Sequence, residues 1–361
     1  MLTMHPTLLI GPSDWQPERM PKAEFLRRVE KLWQSCPEAS RALVYGNPRH
    51  HAELAYLTNF IPKLEPAVAL LSRSDQPRLF VGGGANMLGA ARPLTWIQDI
   101  VPLKELEGLR SSDCVLIGGE YMSASLRRII GDAPDVTPQV WAQMRHKSSA
   151  ELAAMREACI TLSAAIVAIA DAKQAGASVT TAILAGERAA NDHGAQDVRT
   201  LFSLNGGRTL QPFDTLFERA VDPLQVYIAV RIFNYWAESF ALLSERVCPA
   251  AEKADALLRA VLPMIKPGTS TSIVSDLVAV ECAPYQCHPV TKGALANSIG
   301  LALEETAHTN LLATFEAGEV YAVKIGLTDS ADQHAIASAM IALRRQGSEV
   351  LWSSESLTRT N

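Results

Sequence analysis

Apolar positions along this chain follow two different periods. From Lys22 to Ser35, Phe25, Val29, Leu32 and Trp33 recur at helical spacing, which predicts an amphipathic helix. Short apolar runs follow at Arg41–Tyr45, Ala67–Leu71 and Arg78–Val81, separated by turn-forming stretches such as Gly46-Asn47-Pro48 and Ser74-Asp75-Gln76-Pro77. A helical stretch at His50–Leu57, a strand at Cys114–Gly118 and a helix from about Ser123 to Ile130 complete an alternation of strands and helices. That order predicts an α/β layer over residues 1–144.

The pattern changes at Arg145-His146-Lys147-Ser148-Ser149, where a serine can cap a long helix from Ala150 to about Ala175. A second helix is predicted at Thr180–His193, then strands, helices at Ala251–Ile265 and Thr271–Val280, a turn at Asn297-Ser298-Ile299-Gly300, and strands at Glu319–Ile325 and Ala335–Leu343. Helices first and antiparallel strands after them predict an α+β domain over residues 145–361. Between them, Val226 to Glu238 reads as a paired or buried strand and turn that ends on a carboxylate. An acid at the end of such a run must be solvated, paired or functional, because an unpaired buried charge costs on the order of several kcal/mol.

Composition narrows the function classes. With 361 residues, 48% hydrophobic content and 20% charged residues, the chain has ample material for about two folded domains. A net charge of −5 and the lack of a Lys/Arg cluster argue against nucleic acid and anionic lipid as partners. The first residues lack a basic segment followed by an apolar one, and no apolar run reaches about 18 residues, so no membrane segment is predicted. Six scattered cysteines suit a reducing compartment, and a cytoplasmic location is expected. Cys282, Cys287 and His288 form a poor zinc pattern without a second ligand pair, and read as loop or core thiols.

No phosphate-binding glycine loop, metalloprotease helix motif or nucleophile elbow is present. The order of other segments is informative. Lys147-Ser148-Ser149-Ala150-Glu151-Leu152 with Met155-Arg156 and Ala158 resembles the linker and first helix of the creatinase / aminopeptidase P / prolidase superfamily, and Tyr56-Leu57-Thr58-Asn59-Phe60 resembles a segment of its N-terminal domain. The resemblance implies an α/β N-terminal creatinase-like domain followed by an α+β pita-bread domain. It also implies a homodimer in which one subunit's N-terminal domain overhangs the other's pocket.

Metal-dependent members of that superfamily hold two divalent ions with two Asp, one His and two Glu, and use a further His. In this sequence the frame resembles theirs and the ligands differ. Tyr235-Trp236-Ala237-Glu238 places Glu238 at the second Asp, with Tyr227 where the first belongs. Asn297 stands at the His, Glu304-Glu305 at the following His-Glu pair, Lys324 at one Glu, Ser338 at the other, and Phe213 at the additional His. Creatinase works without metal but depends on that His, so the chain departs from creatinase too. An ammonium at Lys324 has no acceptor capacity and repels a dication by several kcal/mol at an effective dielectric of about 20. No metal and no other cofactor is expected.

Two readings of this set stand side by side. In one, the cavity is refitted for metal-independent acid–base chemistry, such as C–N hydrolysis or a related elimination, on a small amino-acid-like or carboxylate-bearing substrate. Lys324 would stabilise an anion, Glu238, Glu304 or Glu305 would act as base or acid, and Tyr227 would donate from its hydroxyl. Tyr235, Asn297, Ser338 and His308 would line the substrate site, and Arg231, which shares a strand face with Tyr227, would clamp a carboxylate or form a cross-strand salt bridge. In the other, Lys324 and Glu238 plug the cavity, and the protein is a catalytically inactive homologue that binds a ligand or serves as a scaffold. An open polar pocket favours the first reading; a direct Lys324–Glu238 contact, with Phe213 and Trp236 closing the pocket, favours the second.

Overall fold

The computed structural model describes residues 14–83, 88–106, 113–213, 216–288, 295–305 and 314–354. The chain divides into two units, 1–144 and 145–361.

In the first unit the elements run α1 (Lys22–Ser35), β1 (Arg41–Gly46), α2 (Ala52–Thr58), β2 (Ala67–Ser72), β3 (Arg78–Val81), α3 (Leu88–Ala91), β4 (Asp99–Pro102), β5 (Cys114–Ile117), α4 (Ala124–Ile130) and α5 (Thr137–Met144). The strands form one mixed sheet in the order β4-β3-β2-β1-β5. β1 pairs antiparallel with β2 and parallel with β5, setting Leu43 between Leu70 and Leu116. These aliphatic positions share a core cluster with Phe80, Leu126 and Ile130. On α1, Phe25, Leu32 and Trp33 are buried as the period predicts, while Val29 is half-buried and Arg28 fully buried. Arg28 is satisfied there by Glu24, the Tyr56 carbonyl and the Tyr56 ring.

The second unit opens with α6 (Ser149–Gln174) and α7 (Val179–Asp192), followed by β6 (Asp197–Ser203), β7 (Leu224–Ile232) and β8 (Tyr235–Leu243). Then come α8 (Pro249–Val261), α9 (Thr271–Glu281), β9 (Gln286–His288), β10 (Ala296–Ser298), β11 (Val320–Thr328), β12 (His334–Arg344) and β13 (Gly347–Ser353). The start of α6 is fixed by a capping box: Ser148 accepts from the Glu151 amide, and the Glu151 carboxylate accepts from the Ser148 amide.

β6, β7 and β8 form a three-stranded antiparallel sheet, and β10 to β13 form a second one with β9 paired to β11. Each sheet is covered by helices on one face. Phe202, Leu224, Val226 and Leu243 pack with Ile169 of α6 and Val179 and Ile183 of α7. Tyr321, Val323, Ile325 and Leu327 pack with Leu257, Leu258 and Val261 of α8 and Val274 and Val278 of α9. Because strand side chains alternate, residues between these apolar ones, Glu238 and Lys324 among them, project from the opposite faces.

Two expectations are corrected. The run from Val226 to Glu238 is a hairpin, with Ile232 paired to Tyr235 across Phe233 and Asn234. Both turn residues have positive φ, 46° and 71°, as a tight two-residue turn matched to strand twist requires. Glu238 thus sits in the middle of β8, opposite Ala229, and not at the end of a strand. The predicted turn at Asn297 is in fact β10, with Asn297 paired to Ala322. β4, α5 and β13 are further elements that the apolar period did not announce.

Replacing Ser148 by Ala removes one arm of the capping box and is expected to cost the second unit about 1 kcal/mol. A lowered urea midpoint at unchanged slope for that unit's transition checks this; an unmoved midpoint contradicts it.

Candidate functional site

The two sheets of the second unit bring Glu238 and Lys324 together. Lys324 Nζ lies 2.6 Å from Glu238 Oε1, and both residues are 4% exposed. Asn297 Nδ2 approaches the same oxygen at 3.4 Å and also donates to the Leu303 carbonyl at 3.0 Å. Tyr227 donates its hydroxyl to Glu238 Oε2 at 2.9 Å. Both carboxylate oxygens are therefore engaged by donors from β7, β10 and β11. This is the arrangement a buried carboxylate needs, since pairing and hydrogen bonding offset desolvation.

Tyr227 is half-buried, with its ring 4.8 Å from that of Phe240. Burial, followed by the negative charge of Glu238, drives its phenol far above the ordinary tyrosine range, so it acts as a hydrogen-bond donor and stays protonated. Ser338 lies opposite Lys324 in the β11–β12 register. Its hydroxyl accepts from the Phe240 amide at 2.7 Å and donates to the Phe240 carbonyl at 3.0 Å, which stitches β12 to β8. The position predicted to line a substrate site thus carries a backbone bridge between the sheets.

Glu305 belongs to a second, separate polar centre. It is fully buried, 2.6 Å from Lys147 Nζ, and accepts from Ser298 Oγ at 3.2 Å and the Leu301 amide at 3.1 Å. Burial raises its carboxyl pKa, against the opposing pull of Lys147. A Cβ at Gly300 would stand 2.4 Å from Glu305 Oε1 and 2.9 Å from Lys147 Cε, so only glycine allows this close approach. Tyr235 donates to Glu151 at 3.0 Å, joining β8 to the first turn of α6. Lys147 and Glu151, which the sequence brought forward only as part of a resemblance, are thus the partners of two predicted site residues. Glu304 is half-buried beside this centre.

Arg231 stands at the far end of the same sheet face as Tyr227 and Glu238. Its guanidinium lies 3.6 Å from Asp197 on β6, the cross-strand arrangement, and over the Trp236 ring at 5.2 Å. Phe213 packs 4.9 Å from Phe202 in the cluster beneath α6 and α7. It therefore serves the helix-side core and not closure over Lys324. His308 lies outside the described residues.

The donor set does not fit a divalent metal. One carboxylate, an amide and a phenol are too few anionic ligands for a hard or borderline cation, and the carboxylate already holds an ammonium at 2.6 Å. Among the described residues no group of three or more His, Cys, Asp and Glu side chains converges.

Removing one partner leaves a buried charge unpaired, so Lys324→Met is expected to destabilise the second unit by about 3–5 kcal/mol. Adding Glu238→Gln to it should recover most of the loss, because the apolar and neutral pair no longer strands a charge. Denaturant unfolding of both variants checks this, and equal losses in the single and double variant would contradict it.

No protein-family model matches the sequence, and no curated protein is significantly similar to it. Solved structures are similar in fold. Zn-substituted aminopeptidase P from E. coli in complex with product superposes with a TM-score of 0.72 at 18% identity, over 95% of this chain and 96% of that one. X-Pro aminopeptidase from Thermotoga maritima MSB8 gives 0.70 at 17% identity, over 90% and 96%. Prolidase from Pyrococcus horikoshii OT3 gives 0.70 at 14% identity, over 91% and 97%. The α/β unit followed by the α+β unit with its two helix-covered sheets is therefore the pita-bread fold of aminopeptidase P and prolidase.

Proposed function

We propose that this chain is a metal-independent pita-bread protein that binds a small anionic ligand without hydrolysing it, with Lys324 in place of the metals. The observation that carries the absence of hydrolysis in this reading is the Lys324–Glu238 contact at 2.6 Å, buried and with both carboxylate oxygens engaged. A base whose oxygens are taken up by an ammonium, an amide and a phenol is poorly placed to accept a proton from a substrate. The residues at the ligand positions also include Ser338, whose hydroxyl is committed to the Phe240 backbone.

One observation favours a second reading, metal-independent acid–base catalysis. Tyr227 is half-buried and hydrogen-bonded to Glu238, so its phenol is the member of the cluster best placed to meet a substrate. Its strongly raised pKa makes it a weak acid, which limits it to hydrogen bonding rather than proton transfer near neutral pH. A cytoplasmic homodimer is part of the proposal; the six free thiols support the compartment, and the pairing rests on the sequence resemblance.

Purified protein assayed against Xaa-Pro dipeptides, with Mn²⁺, Co²⁺ or Zn²⁺ added, is expected to release no proline above the buffer rate. Turnover that a chelator abolishes would overturn the proposal, and turnover that survives the chelator and is lost in Tyr227→Phe would establish the second reading.

A further inference from the structure

The face of the β6-β7-β8 sheet that carries Glu238 also carries a pair of arginines that share one carboxylate, Asp197, among the described residues. Arg199 and Arg231 both lie 3.6 Å from a single oxygen, Asp197 Oδ2, so neither reaches it at hydrogen-bonding distance. The Arg231 side chain is only 9% exposed, and its Nε is buried without a hydrogen-bond partner among the described residues. A guanidinium stays charged in proteins and carries five donors, so a buried one normally meets a carboxylate or carbonyls squarely. Here burial pushes the Arg231 pKa down, Asp197 opposes this, and the charge of Arg199 adds to it. Two cations facing one distant carboxylate leave a net positive charge in a half-buried place.

The geometry also holds both guanidinium groups ready. Their central carbons lie over the ring of Trp236, at 4.6 Å for Arg199 and 5.2 Å for Arg231. Trp236 is buried and tied through its amide to the Gly300 carbonyl at 2.8 Å, so the platform is fixed. Arg199 is the exposed member, with a side chain 56% accessible, and Arg231 stands behind it. In register, Arg199, Ala229 and Glu238 lie side by side across three strands, with the small, fully buried Ala229 between the arginine and the carboxylate. Arg199 is near enough to Tyr227 for its charge to oppose the upward push of burial on that phenol.

We infer that Arg199 and Arg231, presented on Trp236, form a binding site for an oxyanion group, a carboxylate or a phosphate, of a small ligand whose remainder extends toward Tyr227. The site deepens, and rests on, the reading of this unit as an anion-binding protein. Asp197 acts in it as a weak internal competitor that the ligand's oxygens displace. The planar forks of two guanidinium groups donate to such oxygens in bidentate fashion, and the low accessibility of Arg231 strengthens the attraction.

Titration calorimetry of the full chain with inorganic phosphate and, separately, with acetate tests the site and distinguishes the two chemistries. Saturable binding of one equivalent per chain is expected for at least one of them. Arg199→Gln, at an exposed position, should weaken it by about tenfold, the effect of losing one charged hydrogen-bonding partner. Arg231→Lys, which keeps the charge and loses the fork, should weaken it as well. Asp197→Asn should tighten binding, a gain that a purely structural role for the three residues does not produce. No saturable heat with either anion, or equal affinity in wild type, Arg199→Gln and Asp197→Asn, would overturn the inference. Neither result bears on the dipeptide assay: loss of anion binding leaves the Lys324–Glu238 plug standing, and turnover of dipeptides leaves the arginine pair standing.

Discussion

A single buried ion pair, Lys324 with Glu238, determines what the interior of the second unit can do. The two residues come from different sheets, and each projects from the face that its helices leave uncovered. An ammonium and a carboxylate taken out of water cost several kcal/mol each, and this is offset only when the geometry is close and the remaining lone pairs are used. At 2.6 Å, with Tyr227 and Asn297 completing the carboxylate's partners, both conditions are met. The same contacts place three donors on the two oxygens of Glu238.

Neighbouring interactions reinforce this closure. Ser338 ties the strand beside Lys324 to the Phe240 backbone beside Glu238, which fixes the spacing of the sheets where the pair forms. The Lys147–Glu305 pair and the Tyr235–Glu151 bond anchor the start of α6 to the loop after β10 and to β8. These contacts distribute charge compensation over two separate centres, Lys324 against Glu238 in one and Lys147 against Glu305, with Glu151 close by, in the other. On the same sheet face, away from the pair, the two arginines over Trp236 are the contrasting case, with one carboxylate shared between them at 3.6 Å among the described residues.

Features set by local period were legible in the sequence. The starts of α1 and α6, the strand runs of the first unit other than β4 and the paired β11 and β12 follow from spacing and from a capping serine, and their observed bounds lie close to those read. The hairpin at Phe233-Asn234 was hidden because neither residue is glycine, and a phenylalanine with φ of 46° is held there by pairing on both sides, a tertiary effect. The proximity of Lys324 to Glu238 was legible only through resemblance to a known fold, since nothing local links positions so far apart in the chain. The separate identity of the Glu305 centre was not legible, because Lys147 precedes the helix that Ser148 caps and reaches Glu305 only through the packing of the folded unit. Trp236 read as part of an apolar run and as a residue that would close the pocket, and its place under the two arginines emerges only when β6 brings Arg199 beside it.

In the proposed reading, the Lys324–Glu238 contact at 2.6 Å stands in the way of a divalent ion at Glu238. Titration of the purified protein with Mn²⁺, followed by the loss of the free ion's electron paramagnetic resonance signal, tests it most directly. The account predicts that all added Mn²⁺ stays free, apart from weak non-stoichiometric association, in the wild type. Tight uptake of one or two ions per chain, abolished by Glu238→Gln, would contradict it.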